Sequence, residues 1–318
     1  MSTIVWPPLP PDQLARARDA CVARELAWLL DTLQESLQSL KAGLEECAAL
    51  LAPRDIGSTL VLSSQRSESL KGFVTLNGAR IVKGDIQLRL PSLPPPRGQN
   101  SYRLSVSSAP AAPDLVIDQL VSARTLINSC LDVVDATVWT GEAKNADYIS
   151  TQLRLLHENV QDAKEALRGS GEHLKAWHEH PTDKHTFEPC LPSQLSMHFT
   201  VSDAALIFTV RTLETVAEGG GTGASTPSST YSQSYSGLSI RDRLAAALGA
   251  APVVRHDEAD ETFVYGGKNV RVKDKVRIES QDPSLMAALA KLSALEHSVA
   301  LSRRALDVVM DREDESAA

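Results

Sequence analysis

The sequence predicts an α+β fold, in which an antiparallel four-helix bundle of leucine-zipper type packs with an antiparallel β-sheet domain. Two kinds of hydrophobic pattern support this class. Several long segments repeat apolar residues in steps of four and three, as packed helices do, whereas shorter segments alternate apolar and polar residues, as strands do. The strand-like blocks lie between helical blocks along the 318-residue chain, so both regions are assembled from separate pieces of sequence.

The longest heptad pattern lies in the first predicted helix, residues 12–52. This helix follows Pro10 and Pro11, with Asp12 as its expected N-cap, and Pro53 stops it. At about 1.5 Å per residue, it should be about 60 Å long. Its predicted seam toward the other helices consists of Leu26, Leu30, Leu33, Leu37, Leu40, Leu44 and Leu51.

Three further helices carry similar stripes. They are predicted at residues 113–138, 145–168 and 282–312, with Asp282 and Pro283 as the cap and first residue of the last one. Four stripes in one chain can cover one another, so a bundle closed within the chain is favoured over a coiled coil between chains. The first and last helices are expected to pack together. The seam of the last helix consists of Leu285, Leu292, Leu295, Val299 and Leu306.

Strand patterns fill the segments between the helices. Asn77-Gly78 and Gly266-Gly267 are typical of hairpin turns. The bundle is predicted to comprise residues 12–53, 113–170 and 282–313. The β domain is predicted to comprise residues 57–107, 187–216 and 252–281. Residues 217–238, rich in glycine and serine, are predicted to be a disordered linker.

The composition narrows the classes of function. A formal net charge of -8 argues against broad binding of nucleic acid, which needs a basic surface. The sequence has neither a signal-peptide pattern nor an apolar run long enough to span a membrane. The cysteines are too widely spaced for a disulfide framework or a cysteine zinc site, so a reducing, cytoplasmic compartment is expected. They are Cys21, Cys47, Cys130 and Cys190.

The densest group of titratable residues is a histidine cluster, formed by His173, His178, His180 and His185. One interpretation is a metal site, because a His-x-His pair can bind zinc from a strand. The nearby glycines and Pro181 favour a solvated loop instead, so no metal is expected. The sequence also lacks a nucleophile-elbow motif, and it predicts no catalytic residues, no cofactor and no enzyme activity.

One predicted strand carries a row of cations. Arg271, Lys273, Lys275 and Arg277 alternate with mostly apolar residues, and regular alternation would place all four on one face. Such a face would suit an acidic partner surface or anionic lipid headgroups, although a solvated sheet face is the plainer interpretation. A peripheral membrane-surface adaptor that binds lipid through this face is therefore the alternative function.

Four stretches of sequence carry a more specific signal. They are ELAWLL at residues 25–30, LKGFVTLNG at 70–78 continuing to DIQLRLP at 85–91, FEPCLPS at 187–193, and FVYG at 263–266 with the strand and helix that follow. In this order they resemble the Rogdi leucine-zipper family. That family includes the second subunit of the fungal RAVE complex, the regulator of the ATPase of vacuoles and endosomes.

The resemblance implies a fold and a function. The implied fold is a four-helix bundle plus a β-sheet domain, with the first and last helices antiparallel. The implied function is non-catalytic: promoting assembly of the vacuolar proton-transporting ATPase (V-ATPase). The implied partners are the large WD-repeat RAVE subunit, a Skp1-type adaptor and the peripheral (V1) sector of the ATPase, with no nucleic acid. The protein would be cytoplasmic and recruited peripherally to vacuole and endosome membranes, so it would reach membranes only indirectly.

Overall fold

The computed structural model describes residues 10–64, 68–139, 144–170, 176–216 and 256–312. Within these ranges the protein has four α-helices and antiparallel β-sheets, which confirms the predicted α+β class. The predicted linker at residues 217–238 lies outside the described residues. The helices are α1 (Pro11–Leu51), α2 (Asp118–Trp139), α3 (Ala146–Arg168) and α4 (Pro283–Val309).

Two prolines determine where α1 begins. Pro10 is the N-cap, with φ -54° and ψ 146°, and its carbonyl accepts a 3.0 Å hydrogen bond from the Leu14 N–H. Pro11 then supplies a φ suited to the first turn and lacks the N–H that would go unpaired there. Asp12 lies within the first turn, where its carboxylate is near the positive end of the helix dipole. The prediction of Asp12 as the N-cap is therefore wrong.

The heptad stripe of α1 faces the interior only over the second half of the helix. Leu26 is only half-buried, and residues 11–25 are all exposed. On α4, Leu295 is half-buried, while the rest of the predicted seam is buried. The buried seam residues of α1 are Leu30, Leu33, Leu37, Leu40, Leu44, Cys47 and Leu51. Those of α4 are Leu285, Leu292, Val299 and Leu306.

Each helix packs against two others, in the order α1, α2, α3, α4 and back to α1. The α1–α4 pair is antiparallel, because Gly43 lies against Leu295 while Glu46, farther along α1, pairs with the earlier residue Lys291. A Cβ atom at Gly43 would lie 2.7 Å from Leu295 Cδ2. Glycine, which costs about 1 kcal/mol within a helix, therefore lets the two helices approach closely at this point.

Local caps and one ion pair fix α3 between its neighbours. The Asn145 side chain accepts a 3.2 Å hydrogen bond from the Tyr148 N–H, and Gly169 ends the helix in a left-handed conformation with φ 74°. Lys164 forms an ion pair with Glu296 of α4, and the two side chains are only 9% and 23% exposed. These contacts hold the α2–α3 hairpin against the last helix.

Ten strands form two antiparallel sheets within the described residues. The first six are β1 (Ser58–Ser63), β2 (Leu70–Asn77), β3 (Arg80–Leu88), β4 (Tyr102–Val106), β5 (Leu115–Val116) and β6 (Phe187–Glu188). The other four are β7 (Leu195–Ser202), β8 (Ala205–Thr215), β9 (Thr262–Tyr265) and β10 (Lys268–Gln281). The first sheet has the order β1-β2-β3-β4-β6, with β5 also paired to β3, and the second sheet has the order β7-β8-β10-β9.

Both predicted hairpins are confirmed. Strands β2 and β3 pair antiparallel up to Asn77 and Arg80, and Gly78 in the turn has φ 60°. Strands β9 and β10 meet at Gly266 and Gly267, which have φ values of 55° and 76°. Glycine and asparagine are favoured in these turns because the turns require backbone conformations that other side chains rarely adopt.

Helix α2 begins at Asp118, later than the predicted residue 113. The preceding residues Leu115 and Val116 pair with the start of β3, and the Ile117 N–H donates a 2.9 Å hydrogen bond to the Ala79 carbonyl. In this long-range pairing, the backbone groups of these residues form hydrogen bonds that a longer helix would have needed within itself. The start of the predicted helix is therefore wrong, because tertiary contacts outweigh local propensity here. At the last helix, Asp282 is the predicted cap and accepts a 2.8 Å hydrogen bond from the Ser284 N–H.

One large hydrophobic core extends through the helices and both sheets. It contains, for example, Leu37 of α1, Leu104 of β4, Phe208 of β8 and Leu292 of α4. The proposed division into a helical domain and a β domain stays a prediction. Among the described helices, none has the length and hydrophobicity that crossing a membrane requires.

Replacing Leu37 with aspartate should unfold the protein. Leu37 is 1% exposed within the core. The substitution removes its packing and buries an unpaired carboxylate, which costs on the order of 5 kcal/mol. That is comparable with the whole stability of a domain, about 5–15 kcal/mol. Far-UV circular dichroism during thermal unfolding measures the effect.

The matched control is Leu301→Asp, because Leu301 of α4 is 55% exposed. It should change the stability by no more than about 0.5 kcal/mol, as most surface substitutions do. A Leu37→Asp protein that unfolds at the wild-type temperature would contradict the packing described.

Candidate functional site

The predicted row of cations on β10 is interrupted by a β-bulge. Strand β10 pairs with β8, and the register shifts at Lys273. Before the bulge Arg271 is opposite Glu214, and after it Lys275 is opposite Arg211. Opposite residues share a face of the sheet and successive residues alternate, so Arg271 and Lys275 project from opposite faces.

The predicted site residues therefore do not form one basic face. Arg277 lies on the same side as Lys275, whereas Lys273 at the bulge forms a 2.9 Å ion pair with Glu214. The Lys275 side chain is only 14% exposed and is already paired with carboxylates. The prediction that all four cations share one face is wrong, because a bulge breaks the period of two on which it depended. Binding of lipid or of a partner by these residues stays a prediction.

Arg211 is the centre of an ionic network that sequence reasoning missed. Its guanidinium donates hydrogen bonds of 2.6 and 2.8 Å to Glu258 and lies 4.5 Å from the centroid of the Trp177 ring. The Lys275 ammonium donates to Glu258 at 2.7 Å and to Asp257 at 2.8 Å. The side chains of Arg211 and Glu258 are 8% and 14% exposed. The network holds Asp257 and Glu258 against the second sheet.

The electrostatics of this network favour the ionised form of Glu258. Burial by itself would raise the pKa of Glu258, but hydrogen bonds from Arg211 and Lys275 outweigh burial and lower the pKa below its ordinary value of 4.5. The hydrogen bond from Lys275 likewise lowers the pKa of Asp257, which is 75% exposed. A carboxylate held by two cations in this way orients a chain segment and is poorly suited to act as a base.

A cleft of about 250 Å³ lies between the start of α2, the loop at residues 180–183 and strand β7. Its lining includes His180, Thr182 and His198. Burial, together with the nearby positive charge of Arg211, lowers the pKa of His198 to about 4. The imidazole is therefore neutral at pH 7 and is suited to hydrogen bonding rather than to binding an anion.

The other members of the predicted histidine cluster point to different surroundings. His178 packs edge-on against Trp177, with ring centroids 5.5 Å apart, and His185 Nδ1 lies 3.6 Å from Cys190 Sγ. His173 lies outside the described residues. Over the part of the chain that the structure describes, no three histidine, cysteine or acidic side chains are placed to hold a metal ion.

The first half of α1 is an exposed surface that sequence analysis did not predict. Residues 11–25 are exposed throughout, and the large apolar side chains Leu14, Val22 and Trp28 are 58%, 41% and 66% exposed. Helix α1 has 41 residues, whereas its neighbour α4 has 27. At 1.5 Å per residue the difference is about 20 Å, so α1 is too long for α4 to cover. This difference in length between the two helices was the sequence signal that could have indicated the exposed surface.

Removing the charge of Glu258 should destabilise the protein more than removing that of Asp257. Glu258→Gln leaves the buried guanidinium of Arg211 without its counter-ion, which costs about 3–5 kcal/mol. Asp257→Asn weakens an exposed ion pair, worth about 1 kcal/mol or less. Thermal unfolding of both variants at pH 7 measures the difference. Equal losses would mean that the network does not hold the segment in place.

The same comparison should depend on pH. The folded-state pKa of Glu258 lies below 4.5, so its stabilising contribution is complete above that pH and is lost as the pH falls through the folded-state value. The stability gap between the wild type and Glu258→Gln should therefore narrow below about pH 4.5.

The fold and its surfaces can be compared with known proteins. The family described as Rogdi leucine zipper containing protein matches residues 25–307. The match begins within α1, includes both sheets and the α2–α3 hairpin, and ends near the last residue of α4. No curated protein matches the chain. Because the family match spans most of the 318 residues, the chain belongs to the Rogdi leucine zipper family.

Proposed function

We propose that this protein is a non-catalytic subunit of a RAVE-type complex that promotes assembly and reassembly of the vacuolar proton-transporting ATPase. The observation that carries the proposal is the family match over residues 25–307. The resemblance to the Rogdi family implies the RAVE role, because that family includes the second subunit of the fungal RAVE complex. The four stretches that carry the resemblance all fall inside the matched region.

The placement of these stretches supports a shared body rather than a shared catalytic site. Residues 70–78 form strand β2 and its turn, and residues 187–193 begin with β6. Leu70, Phe187 and Leu191 in these stretches are buried, whereas Phe73 is 41% exposed. Buried apolar residues of this kind stabilise the fold.

We infer further that the four helices act as one four-helix bundle closed within the chain. The pairwise order of helix contacts and the buried seams of α1 and α4 support this arrangement. Such a bundle gives a rigid platform from which exposed surfaces can contact other subunits.

The protonation state of the two buried cysteine thiols supports a non-catalytic role. Burial raises the pKa of Cys47 to about 11 and that of Cys130 to about 12. Both thiols therefore remain protonated at neutral pH, whereas a reactive cysteine needs its thiolate form.

The proposed partners follow from the proposed complex. The large WD-repeat RAVE subunit is the direct partner, a Skp1-type adaptor is a further one, and the peripheral (V1) sector of the ATPase is the assembly substrate. The protein is proposed to be cytoplasmic and to reach vacuole and endosome membranes through these partners.

Deletion of the gene in its own cells should leave the peripheral sector of the ATPase detached from the membrane sector. We expect vacuoles that fail to acidify at neutral external pH and high calcium, measured with a pH-sensitive vacuolar dye. Expression of the wild-type chain should restore acidification. Expression of Leu37→Asp should not, because that variant is expected to unfold.

Affinity purification of the tagged wild-type chain then asks whether the partners are those proposed. Mass spectrometry should find the WD-repeat subunit in the eluate, and untagged cells provide the background. Normal acidification in the deletion strain, or an eluate without the WD-repeat subunit, would contradict the proposed function.

A further inference from the structure

The exposed half of α1 carries a second stripe that is distinct from its buried seam. Leu14, Arg18, Cys21, Glu25 and Trp28 follow one another in steps of four, three, four and three residues, so they lie along one side of the helix. All five side chains are exposed, and Leu14 and Trp28 at the two ends are 58% and 66% exposed. The stripe is therefore a continuous surface, apolar at its ends and charged between them.

This surface is costly for a helix that projects alone. A helical segment of this length is marginal in water, because most helical stability in proteins comes from packing of an apolar face. Exposed apolar side chains at heptad spacing are typical of a face that another helix covers. Over residues 11–25, no other described part of the chain buries the helix.

We propose that this stripe is the docking surface for a second copy of the chain, with the two α1 helices antiparallel and centred near Cys21. In that arrangement Leu14 of one copy lies level with Trp28 of the other. Arg18 lies within one residue, about 1.5 Å along the axis, of Glu25 in the second copy. Each apolar end therefore meets an apolar end, and each charge meets its opposite.

The charges favour both an antiparallel orientation of the two helices and a second copy of the chain as the binding partner. A parallel pair in register would place Arg18 beside Arg18 and Glu25 beside Glu25, which is repulsive. The antiparallel pair turns both contacts into attractions and opposes the helix dipoles favourably. Because the stripe is complementary to itself, a second copy satisfies it without any other protein.

The family match covers only part of the stripe. It begins at residue 25, so Leu14, Arg18 and Cys21 precede the matched region, whereas Glu25 and Trp28 lie inside it. The dimer is argued from the charges and exposure of the stripe, so it goes beyond the proposed assembly function and does not depend on it.

The stripe covers only about four helical turns, so the interface is small. It falls short of the roughly 800 Å² per partner of a standard stable interface. We therefore expect a reversible dimer with a dissociation constant on the order of micromolar. Sedimentation of the full chain over a concentration series should show a monomer–dimer equilibrium.

Charge reversal provides the specific test. Arg18→Glu and Glu25→Arg, made singly, should each weaken self-association by about tenfold or more, because each change creates two repulsive contacts in a symmetric dimer. The double variant Arg18→Glu with Glu25→Arg should restore it. Arg16→Glu is the matched control, since Arg16 is exposed on the opposite side of the same helix turn and should have no such effect.

Cysteine cross-linking tests the centre of the pairing. A short bismaleimide should link two wild-type chains through Cys21, and Cys21→Ser should abolish the linked dimer. Cys190→Ser should preserve it, although Cys190 is the other exposed cysteine among those described. Trp28→Glu, at an exposed position, should abolish dimerisation and leave the thermal unfolding temperature of the monomer unchanged.

A chain that remains monomeric at high micromolar concentration would overturn the proposal, since the stripe would then be covered by another part of the same chain or left bare. A dimer that survives both single charge reversals, or that cross-links through Cys190 instead, would overturn it equally. Restored association in the double charge-swap variant supports it, because a nonspecific apolar contact would not recover in this way.

Discussion

The antiparallel contact between α1 and α4 is the interaction on which the rest of the structure depends. It joins the first and last helices of the described chain, with Gly43 and Leu295 at the point of close approach. Leucines from both helices enter one core. Because α1 leads directly to β1 and β10 leads directly into α4, this pairing also brings the two sheets together at their helical ends. Strand β1 lies near β10 as a result.

A pair of hydrogen bonds also connects the α2–α3 hairpin to the second sheet. The buried Gln119 of α2 donates a 2.8 Å hydrogen bond to the Val201 carbonyl of β7 and accepts a 2.7 Å hydrogen bond from the Val201 N–H. Its amide thus replaces a strand partner at the edge of that sheet. The helices and both sheets therefore contribute to one hydrophobic core.

Local patterns predicted most of the fold, whereas contacts between distant residues determined what was missed. The heptads of α1 and α4 and the turns at Gly78 and Gly266 are encoded within a few residues of sequence, so they were predictable. The bulge at Lys273 was not, because it appears only when β10 is placed against β8. The bond between Arg211 and Glu258 joins residues 47 positions apart, and no local spacing indicates it.

Because α1 and α4 pack against each other and against the α2–α3 hairpin, we expect all four helices to unfold as one unit. Native-state hydrogen exchange of the wild-type protein tests this most directly. Amides from Leu33 to Leu51 of α1 and from Leu285 to Leu306 of α4 should exchange with the same free energy as the core of α3, equal to that of global unfolding. If α1 exchanged at a clearly lower free energy while α2 and α3 stayed protected, the first helix would be a separate appendage and the account would be contradicted.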